Sequence, residues 1–411
     1  MITKKYNKKN TTQKSPVRWL VLSGVWMIYF NFGLSISGLA PIIELILIDL
    51  NMSHTAMGSV LGAWQLIYII SAVPCGLFVD RIGPRKALFL ATLVMAGSGF
   101  ARSIAFDYLS LFFAVSLFGI GGPIVSSGAP KLVALWFSGR ERGFAMGVYI
   151  TGPAIAGLIT LTTTHPILLP FFDGDWRLVI RLWSTFTLIA GALWLIICQQ
   201  SKVQAMEFKI TNQSKDQKNV KVFNLLKTPA IRIMLFMAVG IFMFNHGLNN
   251  WLPELLKSSG MNSSNAGYWA SIPTLIGIIC SLLIPRFAIP QRRFYIFSAL
   301  IISAGLASLL LIFKTGLLLL IGLILQGIAR GSLMTIAILT LVELPEVGEK
   351  KAGIASGLFF SAAEIGGVAG PLMLGSVYDM TGSFNLGLNV LTFTMSLLFM
   401  FNVILRKNSK D

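Results

Sequence analysis

The chain has 411 residues, of which 55% are hydrophobic and only 12% charged, with mean hydropathy +0.75 and a formal net charge of +17. Soluble globular domains carry about 25% charged residues, so this composition belongs to a membrane class. The basic excess does not describe a nucleic-acid binder, because Lys and Arg sit in short clusters between apolar runs instead of along one face. Cys75, Cys198 and Cys280 lie in or at the ends of apolar segments, at spacings that give neither a disulfide framework nor a metal site.

Residues 1–17 form a Lys/Asn/Thr-rich tail expected to stay in the cytoplasm. The next stretch, an apolar run, is too long for a signal-peptide core of about 7–15 residues and reads as an uncleaved first helix. A spanning helix needs about 20 mostly apolar residues. Twelve segments qualify: 18–46, 56–79, 86–106, 108–136, 143–169, 176–199, 231–256, 266–286, 293–313, 315–343, 352–378 and 384–405. The polar, Lys-rich stretch 200–230 divides them six and six, giving an all-α membrane protein with one six-helix bundle over 18–199 and another over 231–405, and a short tail at 406–411. With the N-terminus inside, 26 of the 33 Lys and Arg fall on the cytoplasmic side, five on the outer side (Arg102, Arg177, Arg181, Lys257, Lys314) and two, Lys131 and Arg330, within segments. That bias predicts both termini in the cytoplasm and a multi-pass protein of the plasma membrane, in a bacterium the inner membrane.

Between the second and third segments runs Gly76-Leu77-Phe78-Val79-Asp80-Arg81-Ile82-Gly83-Pro84-Arg85-Lys86. A turn this polar cannot lie in hydrocarbon and marks a membrane–water boundary. The halves also repeat. Phe30-Asn31-Phe32-Gly33-Leu34 recurs as Phe244-Asn245-His246-Gly247-Leu248, and Leu117-Phe118-Gly119-Ile120 as Leu325-Gln326-Gly327-Ile328. Gly143, Gly147, Ile155 and Gly157 match Gly353, Gly357, Ile365 and Gly367, and Arg85-Lys86 corresponds to Arg292-Arg293, where Asp80-Arg81 has become Phe287-Ala288. Four matches in order at nearly constant offset indicate two parallel repeats.

The pattern G-x-x-x-D-R-x-G-x-R-K, at this position, resembles the signature between the second and third helices of major facilitator superfamily transporters, with Pro84 as a departure. Within that superfamily the chain is similar to the bacterial cyanate-permease-type group. The likeness rests on Gly62-Ala63-Trp64-Gln65-Leu66-Ile67-Tyr68-Ile69, Gly128-Ala129-Pro130-Lys131-Leu132, Trp136-Phe137-Ser138-Gly139-Arg140-Glu141-Arg142-Gly143, Tyr149-Ile150-Thr151-Gly152-Pro153-Ala154 and Ala363-Glu364-Ile365-Gly366-Gly367-Val368-Ala369-Gly370-Pro371. The resemblance implies the major facilitator fold, a substrate site between the halves near the midplane, alternating access and a monomer. It also implies that Gly76, Asp80, Arg81, Gly83 and Arg85 form a latch between the halves, with Arg140, Arg142 or the start of the eleventh helix as partners of Asp80. The alternative is a plain basic loop that sets topology.

An Asn in hydrocarbon is costly unless bonded, so Asn31 and Asn245 should face protein or water. Asn245 and Asn249 share one face of the seventh segment, with His246 and Asn250 on the adjacent stripe. In the resembled fold the first and seventh helices line the cavity; the competing role for these amides is glue between helices. His246 is a candidate proton site or a structural histidine. Arg330, with Gln326 one turn earlier, is either an anion-binding cation or the partner of Glu364, and the two can coexist as a coupling device. Lys131, about 9 Å of helix rise from the end of its segment, can snorkel to water, and Ser127 supports a cavity alternative. Gln65, Tyr68, Tyr149 and Trp269 are candidate cavity walls, though scattered aromatics also just pack or face lipid. Gly152, Pro153 and Gly157 resemble, incompletely, the glycine-proline motif of exchangers and drug antiporters, and with Gly370 and Pro371 are expected at close helix crossings.

No Walker A loop, Rossmann glycine pattern, H-E-x-x-H or G-x-S-x-G elbow is present, so neither an enzyme nor a nucleotide-driven pump is expected, and no cofactor or metal. The expectation is a secondary carrier of a small solute, favouring an organic or inorganic anion, coupled to protons through Glu364 or His246. A drug/proton efflux antiporter is the alternative. A non-transporting membrane sensor is a third reading, for which the 16-residue head, 30-residue loop and six-residue tail leave little room.

Overall fold

The computed structural model describes the backbone of residues 16–137, 139–200, 222–313 and 315–408. Most of the two tails and of the 200–230 linker, Lys314, and the side chains of Arg140 and of the first turns of the eleventh helix therefore lie outside the described residues. The described chain is helical and contains twelve long helices. They are α1 Val17–Ser37, α2 His54–Ile82, α3 Pro84–Ser103, α4 Tyr108–Trp136, α5 Gly139–Thr163, α6 Trp176–Cys198, α7 Pro229–Lys257, α8 Ser263–Phe287, α9 Pro290–Leu310, α10 Gly316–Val342, α11 Gly348–Thr381 and α12 Asn385–Asn408. Eleven are long and apolar enough to cross a membrane; α3, with Arg85, Lys86 and Arg102 near its ends, is the exception.

Two of the segments are not single continuous helices. The first stops at Ser37, turns through a 3-10 stretch Ala40–Ile42 containing Pro41, and resumes as Ile43–Asp49. Pro41 has no N–H to continue the ladder, and the break leaves carbonyls at the end of α1 without helical partners. Arg102, in the last turn of α3, meets one of them: it is buried, donating from Nη1 to the Ser35 carbonyl at 2.6 Å with its guanidinium over the Phe118 ring. A cation is favoured at that negative helix end. The fifth segment widens into a π turn at Thr164–Leu168, around Pro166, before Leu169–Phe171. Proline inside α4 is accommodated differently. Pro123 leaves the Gly119 carbonyl without its helical donor, and Ser71 Oγ on α2 donates to it at 2.6 Å.

Packing repeats with a shift of six helices. In the first bundle α1 packs on α5, α2 on α4, and α3 on α4 and α6; in the second α7 packs on α11, α8 on α10, and α9 on α10 and α12. The bundles meet along two seams, α2 on α11 and α5 on α8, which the same shift exchanges. Six crossings in each bundle bring the first and last helices to one end of the molecule, the terminal end; the opposite one is the far end. Gly83, at φ 85°, makes the turn from α2 into α3, a conformation that a residue with a Cβ rarely adopts.

Close crossings within each bundle rest on small residues. A Cβ on Gly152 would lie 2.9 Å from the Phe30 nitrogen, and one on Gly157 3.1 Å from Ser37 Oγ, so α1 and α5 touch backbone to backbone beside Pro153. Gly370 meets Gly247 in the same way between α7 and α11. A Cβ on Gly366 would run into the Val239 carbonyl, while one on Gly357 would meet nothing within 4 Å. Gly366→Ala should therefore cost about 1–3 kcal/mol of stability through overpacking. Gly357→Ala should be neutral or gain up to about 1 kcal/mol from helix propensity. Thermal unfolding of the two purified variants in detergent checks the contrast.

Candidate functional site

The bundles touch closely at the far end, and toward the terminal end three glycines of the seam helices meet nothing from the opposite bundle. Where α2 begins, a Cβ on Gly58 would lie 2.5 Å from the Pro371 carbonyl oxygen, and one on Gly62 3.1 Å from Val368 Cα. Nearer the terminal end Gly147 on α5 and Gly357 on α11 face open space, and Gly76 on α2 meets only Ser127 of its own bundle. Polar contacts follow the same gradient. Asp379, near the end of α11, accepts the backbone N–H of His54 at 3.0 Å and of Thr55 at 2.7 Å, and the Thr55 hydroxyl at 2.6 Å. A carboxylate from one bundle thus caps the first turn of a helix in the other, beside Ser53, whose hydroxyl accepts from Ala56 N–H. Lys257 on α7 adds a second bridge, pairing with Glu44 of the first bundle and with Glu254.

At the inner edge of the closed region three expected residues converge. Gln65 on α2 is fully buried, and its Nε2 lies 3.3 Å from Nδ1 of His246 on α7. Glu364 on α11 is 4% exposed, and its Oε2 has no hydrogen-bond partner. The bare backbone of Gly367 makes room: a Cβ there would be 2.8 Å from Glu364 Oε2 and 3.0 Å from Gln65 Cγ. Trp64 and Phe242 flank the His246 ring, with centroids 5.8 and 5.3 Å away.

The opposing walls differ in chemistry. The first bundle presents aromatics: Tyr29 packs edge-on to Tyr149 at 4.9 Å and stacks on Phe32 at 5.6 Å, and Tyr68 sits beside Trp64. The second bundle presents amides and a cation. Arg330 on α10 donates from Nη1 to Thr274 Oγ1 on α8 at 2.8 Å. It does not pair with Glu364; among the described residues no carboxylate lies within ion-pair distance of it. Buried Gln326, one turn earlier, and Asn245 on α7 each hold a side-chain oxygen without a partner.

Other expected residues sit elsewhere or are less engaged. Asn31 is a correction: it does not line the seam but is buried between α1 and α6, its Nδ2 donating to the Met27 carbonyl and its Oδ1 accepting from Thr187 at 3.2 Å. Both of its polar ends are used inside the first bundle, the glue role. Asn249 is half-buried on α7, and Trp269 packs partly buried on α8. Lys131 reaches Asp80 in an ion pair, which keeps Asp80 within its own bundle, while Arg81 and Arg142 are exposed. Arg85 donates to the Cys198 carbonyl at 3.2 Å. In the second bundle Arg293, the repeat counterpart of Lys86, grips Glu343 through both Nη atoms at 2.7 and 2.8 Å. Sequence reasoning missed Tyr29, Thr274 and the Asp379 cap. Asp379 carried the only available signal, an acid near the end of a long apolar helix.

The capping geometry fixes an expected cost. Asp379→Ala strips the first turn of α2 of its acceptors and should lower stability by about 1–2 kcal/mol. Glu141→Ala, which removes an exposed partner of Arg18, should cost under about 1 kcal/mol. Paired thermal melts distinguish the two.

Comparison with known proteins agrees with this architecture. Residues 25–371 match the model of the Major Facilitator Superfamily. The chain is 26% identical to the uncharacterized transporter YycB of Bacillus subtilis (strain 168) over 377 residues, covering 90% of this chain and 88% of that one. It is 25% identical to the hexuronate transporter of the same organism, covering 90% and 89%. A crystal structure of a mutant of the nucleoside transporter NupG superposes with a TM-score of 0.79 at 14% identity, covering 94% of this chain and 99% of that one. The chain belongs to the Major Facilitator Superfamily and is a multi-pass secondary transporter of small molecules.

Proposed function

We propose that this protein is a proton-coupled carrier of a small organic anion, working by alternating access, and that the described arrangement is its inward-open state. Charge bias supports the orientation: with 26 of 33 Lys and Arg on the terminal side, that end faces the cytoplasm of a bacterium and the sealed far end faces outward. The observation that carries the anion reading is Arg330, a partly buried cation within a membrane helix, bonded to a neutral hydroxyl instead of a carboxylate. Such a charge is costly in a bilayer without an anionic partner, and cargo supplies one. The similarity to a hexuronate transporter supports the same class. We assign cargo contacts to Arg330, Asn245 and Gln326 on one wall and to Tyr29, Tyr68 and Tyr149 on the other, with Glu364 and His246 as the proton sites.

In this reading the monomer releases cargo to the cytoplasm through the parted terminal end. Closing that end brings the 76–86 turn against the second bundle, and Asp80 exchanges Lys131 for a partner across the seam, which is the latch role. The narrower likeness to cyanate-permease-type carriers makes cyanate or a simple carboxylate a reasonable first cargo to try.

Efflux of lipophilic cations is the second reading, favoured by buried Glu364 beside aromatic walls. A thermal-shift series on purified protein with glucuronate, cyanate and tetraphenylphosphonium separates the two. An anion at a hundredfold its Kd should stabilise by about 2.7 kcal/mol, and the effect should vanish in Arg330→Ala. Stabilisation by the phosphonium, unchanged in Arg330→Ala and lost in Glu364→Gln, would establish efflux instead.

A further inference from the structure

Gln65, His246 and Glu364 meet where the two bundles touch, and their hydrogen-bonding groups do not balance. Gln65 Nε2 is engaged with His246 Nδ1, which leaves Gln65 Oε1 buried without a donor. Glu364 Oε2, aimed at the same bare patch of Gly367, is buried without a donor as well. An amide oxygen and a carboxylate oxygen are both acceptors. Both side chains border the bare backbone of Gly367, where a Cβ would lie 2.8 Å from Glu364 Oε2 and 3.0 Å from Gln65 Cγ, and a proton on Glu364 would turn one of these two unmatched acceptors into a donor.

We infer that Gln65 ties the proton on Glu364 to the closed far end: when Glu364 is protonated its O–H donates to Gln65 Oε1, completing a bridge from α11 through α2 to His246 on α7. This rests on the carrier reading with Glu364 as a proton site, and it adds Gln65 as the positioning residue through which the first bundle senses that proton. No atoms are exchanged beyond one proton, which arrives from and returns to water.

The charged and titratable groups around Glu364 decide the consequence of its ionisation. Tyr68 on α2 and His246 on α7 are the groups that face it, Arg330 on α10 lies on the other side near His246, and α12 carries no charged residue before Arg406. Arg330 bonds to Thr274 and not to Glu364, so no cation is paired with the new charge. Turning the Gln65 amide would offer one neutral donor and would require His246 to move its own proton to Nδ1. An ionised carboxylate held there by one neutral bond is poorly compensated. Parting α2 from α11 gives it water. Protonation therefore favours the far-end-closed arrangement, and loss of the proton favours its opening.

The test reads conformation, not transport. Ile48 and Met380 are exposed at the far end, one on each bundle, and accept spin labels as Ile48→Cys and Met380→Cys after Cys75, Cys198 and Cys280 are replaced by Ala. Double electron–electron resonance across a pH series should show the long-distance population rising about tenfold as pH increases. Glu364→Gln, neutral and able to donate, should hold the short distance at every pH. Gln65→Leu should move the midpoint of the step or abolish it. A pH-independent distance in the otherwise unsubstituted protein, or a Gln65→Leu midpoint equal to it, overturns the inference. If glucuronate or cyanate still stabilises the protein through Arg330, the carrier reading survives that failure; if neither effect is present, both fall.

Discussion

Hydrocarbon offers no hydrogen bonds, and that constraint organises the molecule. Every polar group inside the bilayer has to find a partner in the protein or face the gap between the bundles. Most find one locally: Ser71 answers the Gly119 carbonyl exposed by Pro123, Arg102 answers the broken end of α1, and Asn31 is taken up by Thr187. The unmet groups are then informative. Gln65 Oε1, Asn245 Oδ1, Gln326 Oε1 and Glu364 Oε2 are buried without partners, on α2, α7, α10 and α11. Two of these four come from α2 and α11, which meet at the seam, while unpartnered side-chain atoms also occur inside the first bundle, at Arg102 Nε, Ser116 Oγ and Trp183 Nε1.

Contacts along the seam are unevenly distributed. Small residues and a trans helix cap hold the far end, where Asp379 reaches into the first turn of α2. Toward the terminal end the glycines face open space and the ion pairs stay within their bundles, Asp80 with Lys131 and Arg293 with Glu343. At the far end the contacts combine close packing of Gly58 against Pro371, ring contacts of His54 with Trp251 and Tyr378, and the Asp379 cap.

Much of this was legible in the sequence, and the reasons are physical. Apolar run length reports helix number directly, because the bilayer thickness sets the length of a crossing. The repeat offset foretold the shift of six that relates the packing of the two bundles. Gln65, His246, Arg330 and Glu364 stood out because polar residues in apolar runs are rare. Asn31 misled for an instructive reason: the repeated Phe-Asn-x-Gly-Leu preserves helix packing, and its amide serves that packing in α1. The Arg330–Glu364 pairing was not readable either, since spacing along two helices does not fix the distance between them. Tyr29 was invisible among the 29 Phe and 8 Tyr of the chain. The Asp379 cap required knowing which helix ends meet.

The most direct measurement is uptake into proteoliposomes holding the purified protein, with an imposed pH gradient and labelled glucuronate or cyanate outside. A proton-coupled anion carrier accumulates the anion when the outside is acidic, collapses to equilibration when a protonophore removes the gradient, and is silenced by Arg330→Ala. Movement of a lipophilic cation against the proton gradient, with no anion accumulation and no effect of Arg330→Ala, would contradict it.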